Sequence, residues 1–227
     1  MSFEDNLENV RERIASAAER TGRSGSDVTI VAVTKTFGPE IVETAVRGGI
    51  IDIGENRVQE FLSKAEQVSL DCSWHLIGHL QTNKVNKVAG RFALIQSVDS
   101  IKLAEKLSRV GEERGIVTDI LIEVNTSGEE SKHGFAPEET IEAFGAISRL
   151  AALRVRGLMT VGPWVSDTAV ITTAFKGLRK LKEQIEKTGT GETVLEHLSM
   201  GMSDDFEIAI AEGSTMVRLG RVLFGER

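Results

Sequence analysis

Val28-Thr29-Ile30-Val31-Ala32-Val33-Thr34 is an unbroken apolar and β-branched run, and Lys35 closes it. Such a run reads as a strand buried on both faces, because neither side of it alternates with polar residues. A lysine at its C-terminal end cannot turn to water without leaving the apolar wall from which it grows. Desolvation there favours the uncharged amine. An uncharged amine is a nucleophile that condenses with aldehydes and ketones. The plainer alternative is a lysine that lays its stem on the apolar surface and ends the strand.

Working outward, similar short runs recur at 50–53, 74–77, 93–97, 119–124, 155–161, 194–199 and 216–219. With the opening run they make eight strands. Between them lie helical stripes: Ile41/Val42/Ala45/Val46, Val58/Phe61/Leu62/Ala65, Ile101/Ala104/Leu107, Ile141/Phe144/Ile147, Phe175/Leu178/Leu181/Ile185 and Phe206/Ala209/Ile210. These spacings place apolar residues on one helical face. An additional helix precedes the first strand, with Phe3, Leu7, Val10, Ile14 and Ala17 on one face, Ser2 as cap, Asp5 three positions on and Gly22 as its stop. Pro39 suits the first turn of the helix after Lys35, and Gly48-Gly49, Gly189 and Gly213 fall at helix ends. Strands alternating with helices imply a parallel sheet with right-handed crossovers. The expected fold class is α/β, a (β/α)8 TIM barrel with an additional N-terminal helix. An open doubly wound sheet is the second possibility. No linker or low-complexity segment divides the chain, so residues 1–227 are expected to form a single domain.

Composition narrows the function. The chain is 41% apolar and 27% charged, with a net charge of −7 and evenly spread basic residues. That argues against a nucleic-acid or anionic membrane surface. The apolar runs fall far short of the ~20 residues of a membrane span. The acidic, polar start resembles no signal peptide, and the one cysteine, Cys72, permits no internal disulfide. A cytoplasmic protein is expected. There is no tyrosine, so no tyrosine acid or base can serve here.

In a barrel of this kind the site gathers where the strands end. There the sequence places Lys35, then Gly54-Glu55-Asn56-Arg57, Gly78-His79-Leu80-Gln81, Asn125-Thr126-Ser127-Gly128, Gly162-Pro163, Ser199-Met200-Gly201-Met202-Ser203 and Arg218-Leu219-Gly220-Arg221. Barrels often hold a phosphate between their last two loops. Ser199 and Gly201 offer a hydroxyl and open backbone N–H groups; Gly220-Arg221 offers a second glycine turn. Two tight turns without a ligand are the alternative. Asp204 and Asp205 would repel a phosphate, so both are expected to cap the next helix and face away, with Ser203 as its N-cap. Arg218 supplies a rigid, permanent cation. An amine, a phosphate cradle and a fixed guanidinium together suit a phosphorylated aldehyde. His75 and His79 stand four apart on a strand-to-loop stretch and need not share a face, His133 and His197 are scattered, and no metal site is expected.

These residues stand in blocks that resemble one family. The blocks are Val31-Ala32-Val33-Thr34-Lys35, Gly54-Glu55-Asn56-Arg57-Val58-Gln59-Glu60, Trp74-His75-Leu76-Ile77-Gly78, Leu80-Gln81-Thr82-Asn83-Lys84, Ser97-Val98-Asp99-Ser100, Gly157-Leu158-Met159, Leu198-Ser199-Met200-Gly201-Met202-Ser203-Asp204-Asp205-Phe206, Gly213-Ser214-Thr215-Met216-Val217-Arg218-Leu219-Gly220 and Phe224-Gly225. The chain resembles the pyridoxal 5′-phosphate homeostasis proteins, single-domain relatives of the alanine racemase N-terminal barrel. The resemblance implies pyridoxal phosphate held as an aldimine on Lys35, with Asn56 beside the ring. It implies Ser199, Gly201, Gly220 and Arg221 around the phosphate and Arg218 near the pyridine nitrogen. A cation there leaves the pyridine unprotonated and a poor electron sink. The implied role is a carrier or regulator of the cofactor without strong catalysis of its own. The implied partners are apo-enzymes, met transiently, and the implied state is a monomer or weak dimer. An amino-acid racemase and a lysine-dependent aldolase are the alternatives, the first weakened by the missing tyrosine and second domain. Two departures from the family pattern stand out: His79, where proline is usual, and the stretch Val161-Gly162-Pro163-Trp164.

Overall fold

The computed structural model describes residues 2–188 and 194–225; Gly189 lies outside them. Each apolar run becomes a strand: β1 Thr29–Val33, β2 Asp52–Glu55, β3 Ser73–Leu76, β4 Leu94–Val98, β5 Thr118–Glu123, β6 Leu153–Met159, β7 His197–Ser199 and β8 Met216–Leu219. All neighbours are parallel, and β8 returns to pair with β1, which closes the sheet into a barrel in chain order. Ala32 stands opposite Ile53 on one side and Leu219 on the other. The open-sheet alternative is thereby set aside. Register shifts between β4 and β5 and between β5 and β6 bend that part of the wall.

The helices also follow the sequence pattern. They are α1 Phe3–Glu19, α2 Pro39–Arg47, α3 Val58–Ala65, α4 Val85–Val88, α5 Ile101–Arg114, α6 Thr140–Ile147, α7 Thr168–Thr188, α8 Phe206–Ala211 and α9 Arg221–Phe224. The Ser2 hydroxyl accepts the Asp5 N–H while the Asp5 carboxylate accepts the Ser2 N–H, the reciprocal cap expected from Ser2 and Asp5. Pro39 occupies the first turn of α2. One crossover gave no periodic signal. Between β3 and β4 the chain makes only a 3-10 turn, Thr82–Lys84, and the single turn α4, too short to repeat an apolar stripe.

Two apolar clusters lie between barrel and helices. One joins Phe61, Leu76, Ile95, Leu107, Ile122, Phe175 and Leu198 across the middle of the chain. The other joins the start of the chain to its end: Leu7, Val10 and Ile14 of α1 with Ala32, Ile53, Phe206, Val217 and Leu223. Trp74, expected in the core, is half-buried and packs edge-on against Phe61. Inside the barrel, Val31, Leu94, Leu121, Met159 and Met216 pack together. Beside them runs a buried polar file that the strand pattern did not announce.

Candidate functional site

A cavity of about 570 Å³ opens at the C-terminal ends of the strands, lined by Val33, Lys35, Asn56, Ile77, Val161, Met202, Ser203, Asp204, Arg218, Gly220 and Arg221. Five of the seven expected site residues therefore meet there: Lys35, Asn56, Arg218, Gly220 and Arg221. A second cavity, of about 550 Å³, lies at the opposite face against Arg11, Ser24 and Asp52. In barrels that face serves stability rather than chemistry.

Lys35 sits in a tight turn just past β1. The Phe37 N–H donates to the Thr34 carbonyl at 3.1 Å, and Thr36 carries a φ of 69°. A β-branched residue with positive φ is strained by roughly 1–3 kcal/mol. Glu60 of α3 compensates, its carboxylate accepting the Thr36 N–H at 2.8 Å. On the other side of Lys35, Thr34 is tied down twice. Its hydroxyl donates to Glu55 Oε1, and Lys64 Nζ donates to both the Thr34 carbonyl and Glu55 Oε1, all at 2.6 Å. Glu55 is fully buried and Lys64 nearly so. Burial pushes the Glu55 carboxyl up, opposed by Lys64 and Thr34. Both neighbours of Lys35 are thus fixed from α3. Gly78 lets the β3 loop close on this corner: a Cβ there would lie 2.3 Å from the Asn56 carbonyl oxygen.

Across the cavity, Arg218 is buried at 4% exposure. It donates to the Ser199 hydroxyl at 2.6 Å and to the Thr160 carbonyl at 2.7 Å. Burial pushes its guanidinium down to about 10, opposed by Asp205 and Glu123. It stays charged at neutral pH. Glu123, at the end of β5, is pushed up to about 7 by burial and by Asp99, with Arg218 pulling the other way. Glu123 carries no motif that marks it as a site residue in the sequence, because a lone carboxylate closing a strand reads as a solvated end.

The last two loops depart from expectation in detail. Ser199 and Gly201 do not line the cavity. The Ser199 hydroxyl is fully buried and spent between Gln96 and Arg218. Gly201 has a φ of 98°, and a Cβ there would lie 2.9 Å from the Phe206 Cα; it is glycine so that the loop can lie against α8. Ser203 is the serine at the cavity. It does not cap α8; its hydroxyl accepts the Val222 N–H of α9 at 3.4 Å. Asp204 does not face away either. It lines the cavity and pairs with Arg221. Asp205 stands at the N-cap position of α8, but its carboxylate makes no hydrogen bond to that helix; it is buried and accepts the Met202 N–H of the loop at 2.6 Å.

Residues 6–227 match the family described as alanine racemase, N-terminal domain. The chain belongs to this family. A relative from Aquifex aeolicus called pyridoxal phosphate homeostasis protein is 43% identical over 98% of this chain and 97% of its own. Among solved structures, an unknown protein from Bifidobacterium adolescentis is 42% identical, with a TM-score of 0.91 over 98% of this chain and 94% of its own. PipY of Synechococcus elongatus with PLP bound is 33% identical, with a TM-score of 0.81 over 95% of this chain and all of its own.

This member of the alanine racemase N-terminal domain family carries a histidine pair at the barrel mouth. His133, expected to stand apart, meets His79 there. His79 and His133 stack with ring centroids 4.0 Å apart and planes 11° apart. Both approach Asp99 Oδ2, at 2.7 and 3.7 Å. The set has the chemistry of a metal site, but its geometry opposes one. A metal lies in the plane of each imidazole that binds it, and no point lies in both of two nearly parallel, stacked rings. Asp99 serves instead as a hydrogen-bond anchor for His79.

Proposed function

We propose that this protein binds pyridoxal 5′-phosphate through Lys35 and holds it for buffering or delivery in the cytoplasm, without strong catalysis of its own. The observation that carries this reading is one cavity lined by both Lys35 and the buried Arg218, in a chain of the same family and length as relatives named for pyridoxal phosphate homeostasis. Pyridoxal phosphate brings an aldehyde that condenses with a primary amine, with loss of water, and a phosphate dianion. The cavity suits both. Lys35 supplies the amine on a turn held from two sides. Ser203, Gly220 and Arg221 supply a hydroxyl, a side-chain-free backbone and a cation for the phosphate. Asp204, paired with Arg221, is the one unfavourable group; it must yield its guanidinium to the incoming dianion. Asn56 stands where it can hydrogen-bond the ring substituents. Arg218 places a permanent cation toward the ring nitrogen. A pyridine held unprotonated withdraws electrons weakly, so the bound group is stored rather than activated.

A racemase needs a proton donor on each face of the ring. The chain has no tyrosine, and Asp204, the carboxylate that lines the cavity, lies beside Arg221 on the side proposed for the phosphate. Apo-enzymes are the natural recipients, met in transient contact, and the protein works as a monomer or weak dimer. Reduction with borohydride after incubation with pyridoxal phosphate is expected to fix the cofactor on Lys35 of the wild type and to leave Lys35→Ala unlabelled yet folded. A phosphopyridoxyl group at the cavity of Lys35→Ala would defeat the assignment. Mixing the loaded protein with an apo-enzyme and a trap for free cofactor separates the two modes: activity regained despite the trap means hand-over, and none means buffering.

A further inference from the structure

The polar file inside the barrel has a direction. It runs from Arg218 to Ser199 at 2.6 Å, from Ser199 to Gln96 at 2.6 Å, from Gln96 to His75 Nδ1 at 2.9 Å, and from His75 Nε2 to Asp52 Oδ1 at 3.0 Å. Ser199, Gln96, His75 and Arg218 are all buried. Arg218 lines the cavity at one mouth and Asp52 lines the cavity at the other, so the file spans the barrel along its axis.

Hydrogen-bond chemistry sets the order of protons from the Arg218 end. A guanidinium only donates, so the Ser199 oxygen must accept from it. The Ser199 proton then needs an acceptor, and Gln96 Oε1 is in reach at 2.6 Å; a buried hydroxyl left unpaired is destabilising. With its oxygen turned to Ser199, Gln96 turns its amide nitrogen to His75. Met216 Sδ, 3.1 Å from that nitrogen, is a weak acceptor that agrees with this orientation without enforcing it. His75 Nδ1 must then be a bare acceptor, and the ring proton sits on Nε2, where it donates to Asp52. This assignment follows from the donors themselves and not from the choice of nitrogen or oxygen at the amide.

We propose that Ser199 and Gln96 are positioning residues for Arg218. They hold its guanidinium in one donor arrangement at the cavity, and the same order fixes His75 as the neutral Nε2–H tautomer at the far end. The part that concerns the bound cofactor rests on the function proposed above; the part that concerns His75 does not. The file also explains why a hydroxyl expected at the phosphate lies buried instead: Ser199 serves the arginine.

Nitrogen-15 NMR of the histidines tests the order in the cofactor-free protein, with His75 assigned by the signal lost in His75→Asn. The wild type is expected to show Nε2–H alone. Ser199→Ala removes the hydroxyl that orients the Gln96 amide, lets the amide turn its oxygen to His75, and is expected to place a proton on Nδ1 in part of the molecules, two side chains away. Ser199→Thr, which keeps the hydroxyl, should restore the single form. In protein loaded with pyridoxal phosphate, Ser199→Ala and Gln96→Leu should both shift the visible absorbance maximum of the cofactor while borohydride still fixes it on Lys35. A wild-type His75 protonated on Nδ1, or a tautomer unmoved by Ser199→Ala, overturns the relay. So does an unshifted absorbance in both loaded variants. If Ser199→Ala does not fold, the wild-type tautomer and Gln96→Leu decide alone. A wild type that takes up no cofactor sinks the proposed function instead, and leaves the relay to be judged on His75.

Discussion

Glu123 has more acid–base consequence than any other residue near the cavity, because burial, the neighbouring Asp99 and the opposing Arg218 bring its carboxyl to about 7. A carboxyl raised in the folded state favours folding while it is protonated. That contribution is complete below the ordinary carboxylate range and is lost as pH climbs from there through about 7. The shift corresponds to up to about 3 kcal/mol. Urea denaturation between pH 5 and pH 8 should therefore show stability falling with pH in the wild type and a flatter profile in Glu123→Gln; equal slopes would exclude Glu123 as the source. At this scale the sequence was half legible. Lys35 and Arg218 announced themselves because a cation inside an apolar run demands a reason. Ser199 misled because a hydroxyl in a glycine-rich turn looks like a ligand, and only its neighbours show that Gln96 and Arg218 have already claimed it.

At the scale of elements, α3 is the part that fixes Lys35. Glu60 restrains the turn after it, and Lys64 holds the residue before it. Replacing Glu60 with alanine removes the acceptor that offsets the strained Thr36. It should cost about 1–2 kcal/mol in denaturant titration and weaken cofactor retention by freeing the turn. Unchanged retention would separate the strain from the binding. Lys64→Ala is more severe. It leaves the buried Glu55 carboxylate with the Thr34 hydroxyl as its one side-chain donor, an uncompensated charge worth about 3–5 kcal/mol. Glu55→Leu combined with Lys64→Met should recover most of that loss, as measured by thermal melting; no recovery would mean that the pair does more than cancel charge. The strands were readable as short continuous apolar runs and the long helices by their repeating apolar stripes. The link between β3 and β4 was not, since a single turn has no period.

For the molecule as a whole, closure matters more than any one element. β1 carries the chain into Lys35 and β8 carries Arg218, and these strands are neighbours only because the barrel closes. The cluster behind them joins α1 to α8 and α9, with Arg13 lying over the Phe206 ring at 4.6 Å and paired to Glu207. Phe206→Ala should cost about 3–5 kcal/mol. It should also loosen cofactor binding, although Phe206 does not line the cavity; a variant that melts early yet binds normally would show the seam and the site to be independent. The sequence by itself determined the eight strands alternating with helices, the N-terminal helix with its cap, and the two cations of the site, because apolar runs and stripes, capping chemistry and a charge in an apolar run are local properties of the chain; closure of the sheet was left to the pairing of β8 with β1. The tertiary structure alone decided that Ser203 and Asp204 rather than Ser199 and Gly201 face the cavity, that His79 and His133 meet over Asp99, and that a file of polar groups threads the interior. Those facts depend on which residues of distant strands share a layer inside the closed ring, and that sharing follows from the register between strands, to which no single segment holds the key.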